Sequence, residues 1–243
     1  MDEKRPILIQ GAMLIELKHI LESLENKAEM DIQGYKFWKG NMYGKLIIVS
    51  KTDIGSINAT IATTIGILKF RPYAIINQGI AGACNRNVHK YDVVLGKNCT
   101  NTNCYKTRKR EKGQGSNPLD WELITFTSDD EEKKEEQLCS DNHLLNIAQE
   151  ACMSYDKGSV FKETLGSGDC WNKEADRLDW IYQNTGAICA DMESIGTYTV
   201  ANKFKVPVLG LRVISDNELL NELYNRDTSI EAQRITMEII KKV

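Results

Sequence analysis

The chain has 243 residues, of which 42% are hydrophobic and 27% charged, the proportions of an ordinary globular protein long enough to bury a large core. With 31 basic against 34 acidic residues its net charge is −3, which excludes the basic footprint of a nucleic-acid binder. No apolar run approaches the ~18 residues of a membrane span, and Pro6 to Gln10, behind a charged N-terminus, is too short for a secretory signal.

In chain order, Pro6 to Gln10 reads as a buried strand. A helix is expected after it, with Met13, Leu14, Leu17, Ile20, Leu21 and Leu24 at helical spacing. Leu46 to Val49 is the next strand, and Ser56 is the expected cap of a helix through Ile61, Ile65, Leu68 and Phe70. Strands follow at Tyr73 to Asn77 and Tyr91 to Leu95. The middle changes character. Residues 97–120 carry Lys106, Arg108, Lys109, Arg110 and Lys112 among polar residues and read as a long solvated loop, and the charge run at 129–136 reads as the exposed start of a helix. Periodic structure resumes near Asn142, with strands at Val160–Leu165, Ala187–Met192 and Pro207–Ile214 and a last helix at Ile230–Ile240. Strands alternating with helices predict an α/β protein of three layers, a central sheet flanked by helices, and no break in composition divides 1–243 into two domains.

Seven cysteines, Cys84, Cys99, Cys104, Cys139, Cys152, Cys170 and Cys189, contain no Cys-x-x-Cys pair, and only His19, His89 and His143 could join them. This pattern predicts reduced thiols in a cytoplasmic protein, with no metal site. Ligands of α/β sheets bind beyond the carboxyl ends of the strands. That rule selects Gln10-Gly-Ala-Met13, Asn77-Gln-Gly-Ile-Ala-Gly82, Gly166-Ser-Gly-Asp-Cys-Trp171, Asp191-Met-Glu-Ser194 and Ile214-Ser-Asp216. Taken singly, each carboxylate among them reads more readily as a helix cap or structural hydrogen-bonder; jointly, Glu16, Asp169, Asp191, Glu193 and Asp216 suggest acid/base work on a small polar ligand. Glu16 shares a helical face with Met13 and Ile20, where partial desolvation would raise its pKa and suit a general acid or base. The glycine loop matches neither Gly-x-Gly-x-x-Gly nor the P-loop pattern, so neither nucleotide-binding device is supported.

Gly11-Ala-Met-Leu-Ile-Glu16, Asn77-Gln-Gly-Ile-Ala-Gly82, Ser167-Gly-Asp169, Asp191-Met-Glu193 and Arg212-Val-Ile-Ser-Asp216 occur in this order and together resemble the nucleoside phosphorylase/hydrolase superfamily. Within it they look most like the 5′-methylthioadenosine/S-adenosylhomocysteine nucleosidases. The resemblance implies a mixed sheet, a purine nucleoside as substrate, no cofactor, no metal and a homodimer. It makes Glu16 the base that activates water and Asp216 the acid at purine N7. Glu193 would hold the ribose hydroxyls and Met192 would pack on the sugar. Trp171 falls where the family has a stacking Phe, and Cys170 lies beside it at the base edge. Met13 and Ile54 match positions near the sugar and 5′ substituent, and Gly79 lies near the ribose. Phosphorylases of the superfamily carry a phosphate-binding arginine where this chain has Asn77, which favours hydrolysis. The alternatives are a phosphate-dependent purine nucleoside phosphorylase and a non-catalytic nucleoside-binding protein. Asp53 stands for a usual Gly, Asp191 for a usual Glu, and Asn217-Glu-Leu-Leu-Asn221 departs from the family sequence. The 5′ group is therefore open to a futalosine-type compound or adenosine.

Overall fold

Every residue of the first strand, Ile7–Gly11 (β1), is buried, as a central parallel strand covered on both faces must be. Ile7 and Ile9 enter one hydrophobic cluster and Leu8 the other, because successive side chains alternate across a pleated strand. The computed structural model describes residues 5–126, 132–133 and 138–243. Its other principal strands are β2 (Glu25–Ile32), β3 (Tyr35–Met42), β4 (Lys45–Lys51), β5 (Ala74–Ala83), β6 (Val93–Asn101), β7 (Val160–Ser167), β8 (Ala187–Asp191) and β9 (Val208–Asp216). With a short edge strand at Leu138–Cys139 they form one ten-stranded mixed sheet. The helices are α1 (Lys18–Glu22), α2 (Ser56–Phe70), α3 (Asn142–Ala151), α4 (Ala175–Thr185), α5 (Ser194–Phe204) and α6 (Ser229–Lys242).

The predicted layering is present. Ile67 of α2 and Tyr198 and Ala201 of α5 cover Leu8, Ile48 and Ile75 on one face. Leu17, Ile20 of α1, Leu145 of α3 and Ile235 and Ile239 of α6 cover Ile7, Ile9 and Ile76 on the other. The sheet also closes on itself. β5 pairs in parallel with β9, β9 antiparallel with β6, β6 in parallel with β7, β7 in parallel with β8, and β8 antiparallel with β5. This ring gathers the carboxyl ends of β5, β7, β8 and β9 at one place beside the end of β1.

Two expectations are corrected here, two strands emerge that were not expected, and one further expectation falls largely outside the described residues. The helix expected over Met13–Leu24 is broken into a single 3-10 turn at Leu14–Glu16 and the short α1. β2 and β3 form an antiparallel meander with β4 that periodicity did not reveal. Its two tight turns, Gln33-Gly34 and Tyr43-Gly44, take positive φ at both residues, the mirror-image turn that suits hairpins. The segment 97–120 is not one loop: β6 runs to Asn101, and Tyr105–Lys106 pairs antiparallel with Glu122–Leu123. This arm is pinned to α4, where the Arg177 guanidinium stacks between Trp180 and Tyr105 at 4.3 and 4.8 Å and Trp180 Nε1 donates to Leu119 O at 3.1 Å. The expected helix start at 129–136 falls largely outside the described residues, and Glu132–Lys133 within it pairs as strand with Thr125–Phe126.

Candidate active site

One pocket opens at the gathered strand ends, and Met13, Glu16, Ile54, Cys170, Trp171, Met192, Glu193 and Asp216 all line it. Gly79, expected near the ribose, lies instead behind Glu16: a Cβ there would stand 2.5 Å from Glu16 Oε1, so only glycine lets the carboxylate settle against β5. Ala12, Ile80, Ser215 and Tyr224 complete the wall among others and were not singled out from sequence. Ala12, Ile80 and Ser215 stood inside selected motifs. Tyr224 lies beyond the last matching segment and offers no local signal.

Glu16 is 3% exposed. Its Oε2 accepts from Met13 N at 2.9 Å and its Oε1 from Ile80 N at 3.1 Å. Burial raises its pKa, with these amides and the Arg212 charge opposing. Glu193 stands at the N-cap position just before α5, and its Oε1 accepts from Gly55 N at 2.8 Å. Burial and then the neighbouring Asp191 charge push its carboxyl up to about 8. Asp216 ends β9, and its pKa is raised, first by burial. Ser215 Oγ stands 2.5 Å from Asp216 Oδ1 and 3.1 Å from Ala81 O, while Oδ2 faces Gly82. A raised carboxyl with one oxygen engaged by a hydroxyl presents the other as a proton donor.

The two remaining carboxylates are structural, as each reads singly. Asp169 accepts from the amide and hydroxyl of Ser56, both at 2.6 Å. It thus caps α2 from across the sheet, in the role expected of Ser56, while Gly55 holds the cap position at φ 102°. Asp191 accepts from Arg212 Nε at 2.7 Å and from the amides of Glu193 and Ser194, both at 3.1 Å.

Arg212 is 2% exposed, and a guanidinium has five N–H donors. Besides Asp191 they meet Asn77 O at 3.0 Å, Leu211 O at 2.8 Å, Ser194 Oγ at 2.9 Å and the Asn77 side-chain oxygen. Each donor has its partner inside the protein.

At the rim, Trp171 is 60% and Tyr224 41% exposed, with ring centroids 5.5 Å apart. Lys173 lies 5.6 Å from the Trp171 ring and pairs with Glu218 at 2.8 Å, a second link between the loops after β7 and β9. Cys170 is an exposed free thiol here, whereas Cys84 and Cys189 are buried. Among the described residues, no group of three or more His, Cys, Asp and Glu could hold a metal ion, and no helix is long and apolar enough to cross a membrane.

The family model described as the phosphorylase superfamily matches residues 6–242. A relative from Shewanella piezotolerans, named 5′-methylthioadenosine/S-adenosylhomocysteine nucleosidase, is 29% identical over 211 residues, 86% of this chain and 85% of that one. The solved nucleosidase of that name from Helicobacter pylori, bound to butyl-thio-DADMe-immucillin-A, superposes with a TM-score of 0.81 at 22% identity, covering 100% of both chains. The futalosine hydrolase of the same organism superposes with a TM-score of 0.80 at 22% identity, covering 99% of both chains. At that identity both structures show the fold alone.

Proposed function

Since this chain belongs to the phosphorylase superfamily, we propose that it is a purine nucleosidase, hydrolysing the N-glycosidic bond of 5′-methylthioadenosine and S-adenosylhomocysteine to adenine and a 5-thioribose. The observation that carries this reading is the convergence of three desolvated carboxyl groups, Glu16, Glu193 and Asp216, from three strand ends on one apolar-walled pocket. N-glycosidic cleavage builds positive charge on the sugar and negative charge on the departing base. Asp216 protonates the purine at N7, Glu193 binds the ribose hydroxyls, and Glu16 takes a proton from the attacking water. Met13 and Met192 pack on the sugar, Ile54 borders the 5′ group, and Trp171 with Cys170 borders the purine.

The saturation of Arg212 supports water over phosphate as nucleophile. With Asn77 binding it through both backbone and side chain, no arginine donor at this site is left to hold a phosphate. Two further parts of the reading concern the assembled protein. Ile57, Ile61 and Leu68 share one face of α2 and are 71%, 42% and 64% exposed, the kind of apolar face that a second copy covers, which supports a homodimer. Seven cysteines with no disulfide among the described residues favour a reducing compartment and hence the cytoplasm.

The test is a panel of purine nucleosides, methylthioadenosine, adenosylhomocysteine, adenosine and a futalosine-type compound, assayed with and without inorganic phosphate. The reading expects phosphate-independent release of adenine, fastest from the two thio-nucleosides. Release that requires phosphate supports the phosphorylase, and tight adenine binding without turnover supports the binding protein.

A further inference from the structure

The expected helix over Met13–Leu24 is interrupted at the turn that carries Glu16, and two buried glutamines stand in the break. In a continuous helix the amide of residue 19 would donate to the carbonyl of residue 15. Here the carboxamide of Gln233 on α6 is inserted between them: its Nε2 donates to Ile15 O at 2.9 Å and its Oε1 accepts from His19 N at 2.7 Å. One residue on, Glu16 O accepts from Nε2 of Gln78 on β5 at 2.7 Å. Gln233 is 0% and Gln78 1% exposed. Insertion of a side chain into the helical ladder is a recognised cause of sharp bends, and this one turns the Glu16 carboxyl back onto Met13 N and out to Ile80 N.

Gln78 makes this contact at a cost. Its Oε1 is buried without a hydrogen-bond partner among the described residues, which leaves its desolvation uncompensated. An apolar side chain of the same length would avoid that cost and pack as well. Gln78 also precedes Gly79, whose missing side chain makes room for Glu16, and lies two residues before Ile80, which binds Glu16 Oε1. One strand end thus holds the turn by its backbone and the carboxylate by its head.

On the nucleosidase reading, the geometry points to Gln78 and Gln233 as positioning residues that open the first helix and hold Glu16 at the place where the attacking water is activated. Neither touches substrate. Both act through Glu16, whose displacement by about 1 Å would cost about 10²-fold in rate.

The experiment compares wild type, Gln78→Met and Gln233→Met by kcat, KM, thermal unfolding and the titration of the Glu16 side-chain carboxyl followed by carbon NMR. Gln78→Met removes the donor together with the unpaired oxygen. It is expected to lower kcat about 10–100-fold with KM within about threefold, while the unfolding midpoint stays level or rises. The Glu16 titration moves to higher pH, since loosened amide contacts no longer favour the carboxylate. Gln233→Met loses the bridge between Ile15 and His19 and is expected to lower kcat similarly with an unfolding midpoint below wild type. A purely structural role for Gln78 predicts the reverse pattern, with stability falling and both kcat and the Glu16 titration unchanged, and that result overturns the inference. If wild type cleaves no nucleoside the functional reading fails by itself. The NMR titration still decides the positioning role, because an unmoved Glu16 titration in both variants refutes it.

Discussion

Glu16 and Asp191 on the pocket floor, and Arg212 paired to Asp191 beneath it, are 3%, 8% and 2% exposed, whereas Ile54, Trp171 and Tyr224 on its rim are 53%, 60% and 41% exposed. On the floor, each guanidinium donor and each Glu16 oxygen has a fixed partner. The rim is held by one tilted aromatic pair and by the exposed Lys173–Glu218 ion pair. On the proposed function the difference assigns two tasks. Groups that stabilise developing charge are oriented before the substrate arrives, while the apolar rim groups proposed to border the purine and the 5′ substituent are left free to adjust. The proposal thus gives chemistry to the floor and selectivity to the rim.

The sharpest way to break this division is to disarm the floor without disturbing its shape. Glu16→Gln keeps volume and burial and is expected to lower kcat by about 10³-fold with little change in KM, measured by adenine release under saturating substrate. Arg212→Met leaves Asp191 buried without its partner. It should lower folding stability by about 3–5 kcal/mol in urea titrations, a loss that no rim substitution should approach.

Glu193 sharpens the comparison through pH. Its carboxyl is held at about 8 against an ordinary 4.5, so the folded chain binds that proton more tightly than the unfolded chain does. The stability it contributes is complete below about pH 4.5 and is lost as pH rises through about 8. Glu193→Gln, neutral throughout, should match wild type at pH 4.5 and unfold at a higher temperature at pH 9, by about 4–8 °C for a gain of about 2 kcal/mol, while turning over poorly. Thermal scans at the two pH values check it.

Rim substitutions carry the smallest effects and should fall on KM. Tyr224→Ala is expected to raise KM about tenfold through the lost aromatic contact, with kcat within about threefold. Trp171→Phe should change KM by less than that, in steady-state kinetics on methylthioadenosine. A large fall in kcat from either rim variant would erase the division of labour.

The sequence disclosed the floor better than the frame around it. Strand ends can be located from apolar runs, so five carboxylates near them, Glu16, Asp169, Asp191, Glu193 and Asp216, were selected together, and only the family resemblance separated Glu16, Glu193 and Asp216 from the other two. Asp169 shows the limit of that signal: a cap for α2 and a ligand group look alike until Ser56 is seen beside it. β2 and β3 stayed hidden although Ala28, Met30 and Ile32 alternate with charged residues, because β2 is a largely exposed edge and the meander's turns use Gln-Gly and Tyr-Gly in place of the usual Asn-Gly. The break in the first helix was also unreadable locally, since Gln233, which opens it, lies at the far end of the chain. Tyr224 was missed because its place beside Trp171 is set by the closure of two loops.

On the proposed function, water directed by a fixed floor cleaves the glycosidic bond. This is tested most directly by turnover of methylthioadenosine in phosphate-free ¹⁸O-water, with mass analysis of the sugar. Hydrolysis yields adenine together with a methylthioribose that carries one ¹⁸O at its anomeric hydroxyl, at a rate independent of added phosphate. Turnover that appears only with phosphate and yields an unlabelled sugar 1-phosphate would contradict it.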